Sequence, residues 1–213
     1  MVKLISRYRF LALFIILIAF CLFKAVYAEL GWTDRTDVVF GLLTASSLLI
    51  IGQNKHVLLF ITALVLLKIT LLILQYFFFN ETALNVIRLF TVIIFLILMT
   101  YFCLCFTLQD QTISITTLFG SLSAYLFIGF IFAYIYLLIE LVNPSSFAGL
   151  QTMDEIQAIY FSFITLTTVG FGEIIPLKPI AQTFVWLESF TGQSYLAIII
   201  GQLISRYVAD RLR

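Results

Sequence analysis

The chain has 213 residues, 62% of them hydrophobic and only 11% charged, with a mean hydropathy of +1.13. Soluble domains carry about a quarter charged residues, so this composition excludes an ordinary soluble domain and points to a membrane protein. The formal net charge of +1 gives no reason to expect a nucleic-acid partner.

A helix that crosses a bilayer needs roughly 20 apolar residues. Such runs occupy residues 10–28, 56–79, 83–107, 113–140 and 180–208. A sixth run, 38–52, is short and is counted as a span because the charge pattern requires it. The first run follows Lys3, Arg7 and Arg9 and ends on Val26-Tyr27-Ala28 before Glu29, which also resembles a signal peptide and its cleavage site. The reading adopted is an uncleaved anchor helix, and the orientation is the same either way.

Cytoplasmic loops are rich in Lys and Arg. With six spans, Lys3, Arg7, Arg9, Lys55, Arg206, Arg211 and Arg213 all fall on one side. The other side then holds Glu29, Asp34, Asp37, Glu81, Asp154, Glu155 and Glu173, with Glu140 near a helix end, opposed only by Arg35 and Lys178. Five spans break this pattern. The expectation is an all-α protein of the cell's inner membrane with both termini in the cytoplasm.

Residues 1–110 form a four-helix module. A charged voltage sensor needs several arginines at three-residue spacing, since each elementary charge contributes about 2.3 kcal/mol per 100 mV. The run 83–107 carries one basic residue, Arg88, and the link 108–112 is too short for an amphipathic coupling helix. Lys24 and Arg88 are expected to snorkel to the interface. Lys68, central in its span, needs a partner or a shifted pKa, and the readings are a snorkelling residue or structural pair on one hand and a sensor of lipid or proton on the other. Cys21, Cys103 and Cys105 lie in apolar, lipid-facing stretches and define no disulfide framework. His56, beside Lys55, reads as a turn residue, so no zinc site is expected. Asn80-Glu81-Thr82 is a glycosylation sequon, relevant only in a secretory route.

Residues 111–213 have a different layout. The run 113–140 carries Gly120, Ser121, Ser123, Ala124, Gly129 and Ala133, small residues that allow close helix packing. Asn143-Pro144-Ser145-Ser146 is a turn, and Thr152-Met153-Asp154-Glu155 has the form of a capping box. A helix over 154–167 follows, too short to span, and leads into Thr167-Thr168-Val169-Gly170-Phe171-Gly172-Glu173. Pro176, Lys178 and Pro179 then form an exit loop before the last helix. Irregular backbone at membrane depth is tolerated only where it is buried in protein or lines a wet cavity.

The segment Thr168–Gly172 resembles the TVGYG selectivity filter of the potassium channel pore family, with Phe171 in place of the tyrosine. The resemblance extends over residues 113–208. Residues 160–168 look like the family's pore helix, with Tyr160 and Phe161 at the positions of the aromatic pair that braces the filter. Gly192 lies at the place of the hinge glycine in the inner helix.

The resemblance implies six transmembrane helices, a re-entrant pore helix and filter between the fifth and sixth, and a homotetramer embedded in lipid. Carbonyls of Thr168, Val169, Gly170 and Phe171, the Thr168 hydroxyl and Gly172 are then the filter, and K+ is the ion they hold. Tyr160, Phe161, Thr165, Glu173 and Glu188 are expected to support it, Glu188 by a hydrogen bond to Ser162 or Thr165. Gly192, Gln193, Leu196, Ile200 and Ile204 are the expected hinge and gate, with the isoleucines able to close the cytoplasmic mouth by dewetting. Phe171 lacks a hydroxyl that many relatives use in the brace, and Ile164 stands where some place a carboxylate, so a filter prone to collapse is expected. No organic cofactor and no enzyme activity are implied, and no cytoplasmic ligand-binding domain is expected after the last span. The rivals are a nonselective cation channel, a transporter of repeated pore units (which needs four such loops in one chain), and a non-conducting membrane sensor or scaffold.

Overall fold

The computed structural model describes residues 2–30, 62, 63, 66, 70, 82–109 and 115–211. The run 38–52, Lys68, His56, the sequon asparagine and most of the run 56–79 lie outside the described residues.

Five helices and one small sheet make up this part. They are α1 (Val2–Glu29), α2 (Thr82–Gln109), α3 (Ile115–Val142), α4 (Glu155–Leu166) and α5 (Pro179–Arg211), with β1 (Phe147–Ala148) and β2 (Ile175–Pro176) between the last three. The first three helices have 28 residues each, about 42 Å at 1.5 Å per residue. Two stretches, Thr82–Cys105 and Thr117–Val142, are long and apolar enough to cross a membrane. The comparable stretch of α1, Phe10–Val26, is shorter, and the apolar run of α5 is broken by the polar residues Glu188, Ser189, Thr191, Gln193 and Ser194.

The helices share one core. Leu13, Leu17 and Phe20 of α1, Leu89, Leu96, Met99 and Cys103 of α2, and Phe127, Phe130 and Tyr136 of α3 are all buried. Cys103 therefore faces protein and not lipid. α1 and α3 run parallel. Phe10 lies against Gly120, Phe14 meets Phe119 with ring centroids 5.4 Å apart, and Phe20 meets Phe130 at 5.5 Å. α3 packs antiparallel on α2, with Gly120 so near Thr107 that a β-carbon there would stand 2.6 Å from the hydroxyl.

Lys24 departs from the snorkelling expectation. It is buried near the C-terminal end of α1 and pairs with Glu155, the first residue of α4. An apolar core provides no other place for the ammonium, and the carboxylate provides a counter-charge.

After α3 the chain turns on Glu140, whose buried carboxylate accepts the backbone N–H groups of Ser145 (2.7 Å), Ser146 (2.9 Å) and Phe147 (3.1 Å). β1 pairs antiparallel with β2, Phe147 opposite Pro176 and Ala148 opposite Ile175. Leu177 N–H donates to the Ser146 carbonyl at 2.8 Å, and Lys178 donates to Asn143 Oδ1 at 2.5 Å and to the Pro144 carbonyl at 2.6 Å. The way in and the way out of residues 149–174 are thus clasped at one end of α3, so this segment leaves and returns on the same side. Gly149 closes the clasp: at φ +83° its backbone passes the Glu173 carbonyl so closely that a β-carbon would lie 2.4 Å from the oxygen.

Candidate functional site

α4 begins at Glu155 and is capped by Asp154, whose Oδ1 accepts from Ile156 N–H (3.1 Å) and Gln157 N–H (3.0 Å). The capping box centred on Thr152 does not form. Met153 takes a left-handed conformation, φ +65°, which delivers Asp154 to the cap position, and Gln157 Oε1 instead accepts from Gln151 N–H at 3.0 Å. Asp154 and Glu155 both lie where the helix dipole favours a carboxylate.

At its other end α4 runs out at Thr167. Thr168 N–H donates to the Thr165 carbonyl at 2.9 Å, and the N–H groups of Val169 and Gly170 both donate to the Ile164 carbonyl, at 2.8 and 3.1 Å. Positive φ recurs at every second residue: Thr168 at 60°, Gly170 at 54° and Gly172 at 93°, while Val169 and Phe171 stay negative. In an ordinary strand successive carbonyls point to opposite sides. Alternating the hand of the backbone turns every second peptide plane over, the condition for consecutive carbonyls to share one side. Glycine permits this at two of the three positions. Among the described residues, no hydrogen bond ends on the carbonyl oxygens of Thr168, Val169, Gly170 or Phe171. Residues 167–173 are all exposed on the single chain.

Behind this strand the chain is densely tied. Glu188, fully buried in α5, accepts hydrogen bonds from the Ser162 and Tyr136 hydroxyls. Ser162 Oγ also lies 2.6 Å from the Gly129 carbonyl oxygen. Of the two partners offered for Glu188 by the sequence, Ser162 is the one it meets; Thr165 is buried close by. Phe161 is buried in an aromatic cluster, 5.1 Å from Tyr136 and 5.7 Å from Phe147 between centroids. Tyr160 points the other way and donates to Glu173. That bond to the carboxylate pushes the Tyr160 phenol above its usual pKa, so it remains a donor at neutral pH.

Gly192 does not interrupt α5, which is continuous from Pro179 to Arg211. A β-carbon at this position would lie 2.6 Å from the Leu166 carbonyl oxygen and 2.9 Å from Leu166 Cδ1. The glycine therefore admits the end of α4 against α5. Tyr125 of α3 donates to the same carbonyl at 3.2 Å. Gln193 is exposed and Leu196 half-buried; the side chains of Ile200 and Ile204 lie outside the described residues.

Sequence reasoning passed over Tyr125, Tyr134, Tyr136 and Lys24 as contributors. The tyrosines carried a usable signal, since a hydroxyl inside an apolar helix needs a partner. Lys24 carried only the general one that a buried charge is paired.

Residues 120–209 match a family model described as Ion channel. The inward rectifier potassium channel Kirbac3.1 of Paramagnetospirillum magnetotacticum is 34% identical over 87 residues, 39% of this chain and 27% of that protein. Two-pore potassium channel 5 of Arabidopsis thaliana is 31% identical over 68 residues, 32% of this chain and 16% of that protein. Potassium channel subfamily K member 4 of Rattus norvegicus is 34% identical over 70 residues, 30% of this chain and 18% of that protein. The chain thus spans less than a third of the length of these relatives. No solved structure gives a significant match. A segment clasped at both ends, two helices long and apolar enough to cross a membrane, an ion channel match over residues 120–209 and potassium channels as relatives agree: this is a membrane protein whose second half is similar to the potassium channel pore family.

Proposed function

We propose that the protein is a subunit of a homotetrameric, potassium-selective channel that conducts K+ passively across the cell membrane. The carrying observation is the strand 168–172, with alternating positive φ and carbonyls that no donor of the described chain engages. Carbonyl oxygens of Thr168, Val169, Gly170 and Phe171 and the Thr168 hydroxyl replace the water shell of the ion, and Gly172 closes the row. One such strand supplies a quarter of each oxygen cage, so four copies complete it. In keeping with this, Val169 is 53% and Phe171 74% exposed on the single chain, a costly state for apolar side chains unless neighbouring copies cover them. Glu173 raises the cation concentration at the outer mouth. Tyr160, Phe161, Thr165 and Glu188 hold the strand from behind and beside, and Gln193 and Leu196 face the cavity.

The topology has its own support. In a membrane, parallel α1 and α3 with an antiparallel α2 before α3 leave an even number of crossings for the residues between α1 and α2. The apolar runs 38–52 and 56–79 supply two, giving six spans with both termini cytoplasmic.

Reconstitution in liposomes with opposed potassium and sodium gradients tests the reading. A reversal potential near that of potassium, lost in Thr168→Ala or Gly170→Asp, is the expected result. Equal permeation of sodium makes it a nonselective cation channel, and no current under voltage, pH and tension favours a non-conducting sensor.

A further inference from the structure

The side chain of Lys24 is 4% exposed, packed 5.6 Å from the Phe20 ring centroid and paired with Glu155 across 131 residues of sequence. Tyr134 of α3 donates to the same carboxylate oxygen, Glu155 Oε2, at 3.4 Å. A buried ammonium without a partner is strongly disfavoured, so the pair holds α1 to the N-terminal end of α4. That end is the far end of a lever. α4 has 12 residues, about 18 Å, and its other end carries the strand 168–172 on three backbone hydrogen bonds. The remaining attachments of α4, through Ser162, Leu166 and Phe161, all go to α3, α5 and β1, inside the segment matched to the channel family. Among the described residues, the Lys24 ion pair comes to α4 from a helix outside that segment.

We propose that Lys24 is a positioning residue for conduction: it ties the N-terminal module to the pore helix, so that α1 sets the angle of α4 and with it the conductive state of the filter. The inference rests on the channel reading. Glu155 is the receiving group, held also by the helix dipole, and Tyr134 keeps its carboxylate turned toward α1.

The test uses the full chain in liposomes, with rubidium flux measured over a range of potassium concentrations and tetramer assembly followed by cross-linking. Lys24→Met and Glu155→Gln should assemble, yet need about tenfold more potassium for half-maximal flux or lose flux about tenfold, equivalent to about 1.4 kcal/mol. Lys24→Arg, and Lys24→Glu combined with Glu155→Lys, should return to within about threefold of wild type, as coupled pairs do. A purely structural role would change assembly and leave the potassium dependence of the assembled channels alone. Wild-type flux with unchanged potassium dependence in Lys24→Met overturns the inference by itself. So does an exchanged pair that assembles and does not conduct, which also decides the matter if Lys24→Met fails to assemble. A wild type that passes no potassium overturns the channel reading, and this inference with it.

Discussion

Replacing Gly192 by alanine distinguishes two roles for this residue in α5. If glycine serves as a hinge, alanine stiffens the helix and leaves the fold as stable as before or more so, because alanine is favoured over glycine in a helix by about 1 kcal/mol. The structure assigns a different consequence. The new methyl would stand 2.6 Å from the Leu166 carbonyl oxygen, 2.9 Å from Leu166 Cδ1 and 3.3 Å from Cγ. The side chain can rotate away, but the backbone carbonyl cannot move without carrying the end of α4, and it is also held by Tyr125 at 3.2 Å. Overpacking of this kind costs about 1–3 kcal/mol, and the stretched Tyr125 bond adds roughly 0.5–1.5 kcal/mol. These outweigh the gain in helix propensity.

The control lies nine residues further along the same helix. Gly201 has nothing within 4 Å of a β-carbon and no positive φ, so Gly201→Ala should be neutral or stabilising. Thermal unfolding of the purified protein in detergent compares the two directly. Gly192→Ala should melt clearly below wild type and Gly201→Ala at or above it, and flux in liposomes should fall only in the first. If Gly192→Ala melts as high as Gly201→Ala while its flux drops, the glycine acts through flexibility and the packing argument is wrong.

Glu188→Leu strands the buried Tyr136 hydroxyl at a cost of about 1–3 kcal/mol, while Ser162 retains the Gly129 carbonyl. Glu188→Gln keeps an acceptor, so it should melt measurably above the leucine variant; equal melting refutes the role of the bond. Glu173→Gln should lower potassium flux at low ionic strength and converge with wild type as salt rises, since the screening length shrinks to about 10 Å at 0.1 M. A loss that does not depend on salt would trace instead to the Tyr160 contact. Wild-type flux should decay in low potassium, and Phe171→Tyr should slow the decay by restoring a hydroxyl to the brace. Steady wild-type flux over minutes in low potassium would falsify the idea of a weakly braced filter.

What the sequence made legible followed from constraints that act locally. The apolar runs gave the described helices within a few residues, except that α1 starts at Val2 and not near residue 10, because Lys3, Arg7 and Arg9 lie on the helix that precedes the apolar stretch. The unusual backbone of 168–172 was legible because a Thr-Val-Gly-Phe-Gly string asks for a conformation that other sequences avoid. Glu188 was legible because a carboxylate in an apolar helix must find donors, and Ser162 and Thr165 on α4 were the obvious ones. Partner choice across long separations was not legible. Nothing in residues 20–28 says that Lys24 meets Glu155, and distance from the helix end alone reads as snorkelling. Gly192 shows the same limit, since a glycine that bends a helix and one that admits a neighbour look alike in sequence. At the start of α4, Thr152 and Asp154 are both good caps, and only the left-handed turn at Met153 chooses between them.

The arrangement around α4 has a direction. The helix is fastened at its start by Lys24 and Tyr134, along its middle by Ser162 and Phe161, and at its end by Tyr125 and the close passage of Gly192. All these attachments lie on the side toward its own chain. The strand that follows holds Thr168, a β-branched residue, in a left-handed conformation that costs about 1–2 kcal/mol. Such strain persists only where the surroundings over-determine it, and here the three N–H groups bonded back into α4 do so. On the opposite side the strand meets nothing among the described residues, although it presents Val169 and Phe171 there. On the proposed reading, a single copy builds the back of a site and leaves its front to other copies. If that is the design, stability should rise steeply with assembly: potassium, which bridges the copies, should raise the melting temperature of the tetramer, by about 1.4 kcal/mol for each tenfold excess over its dissociation constant. Sodium at equal ionic strength should do so far less, and equal protection by the two ions would count against a potassium site in the strand.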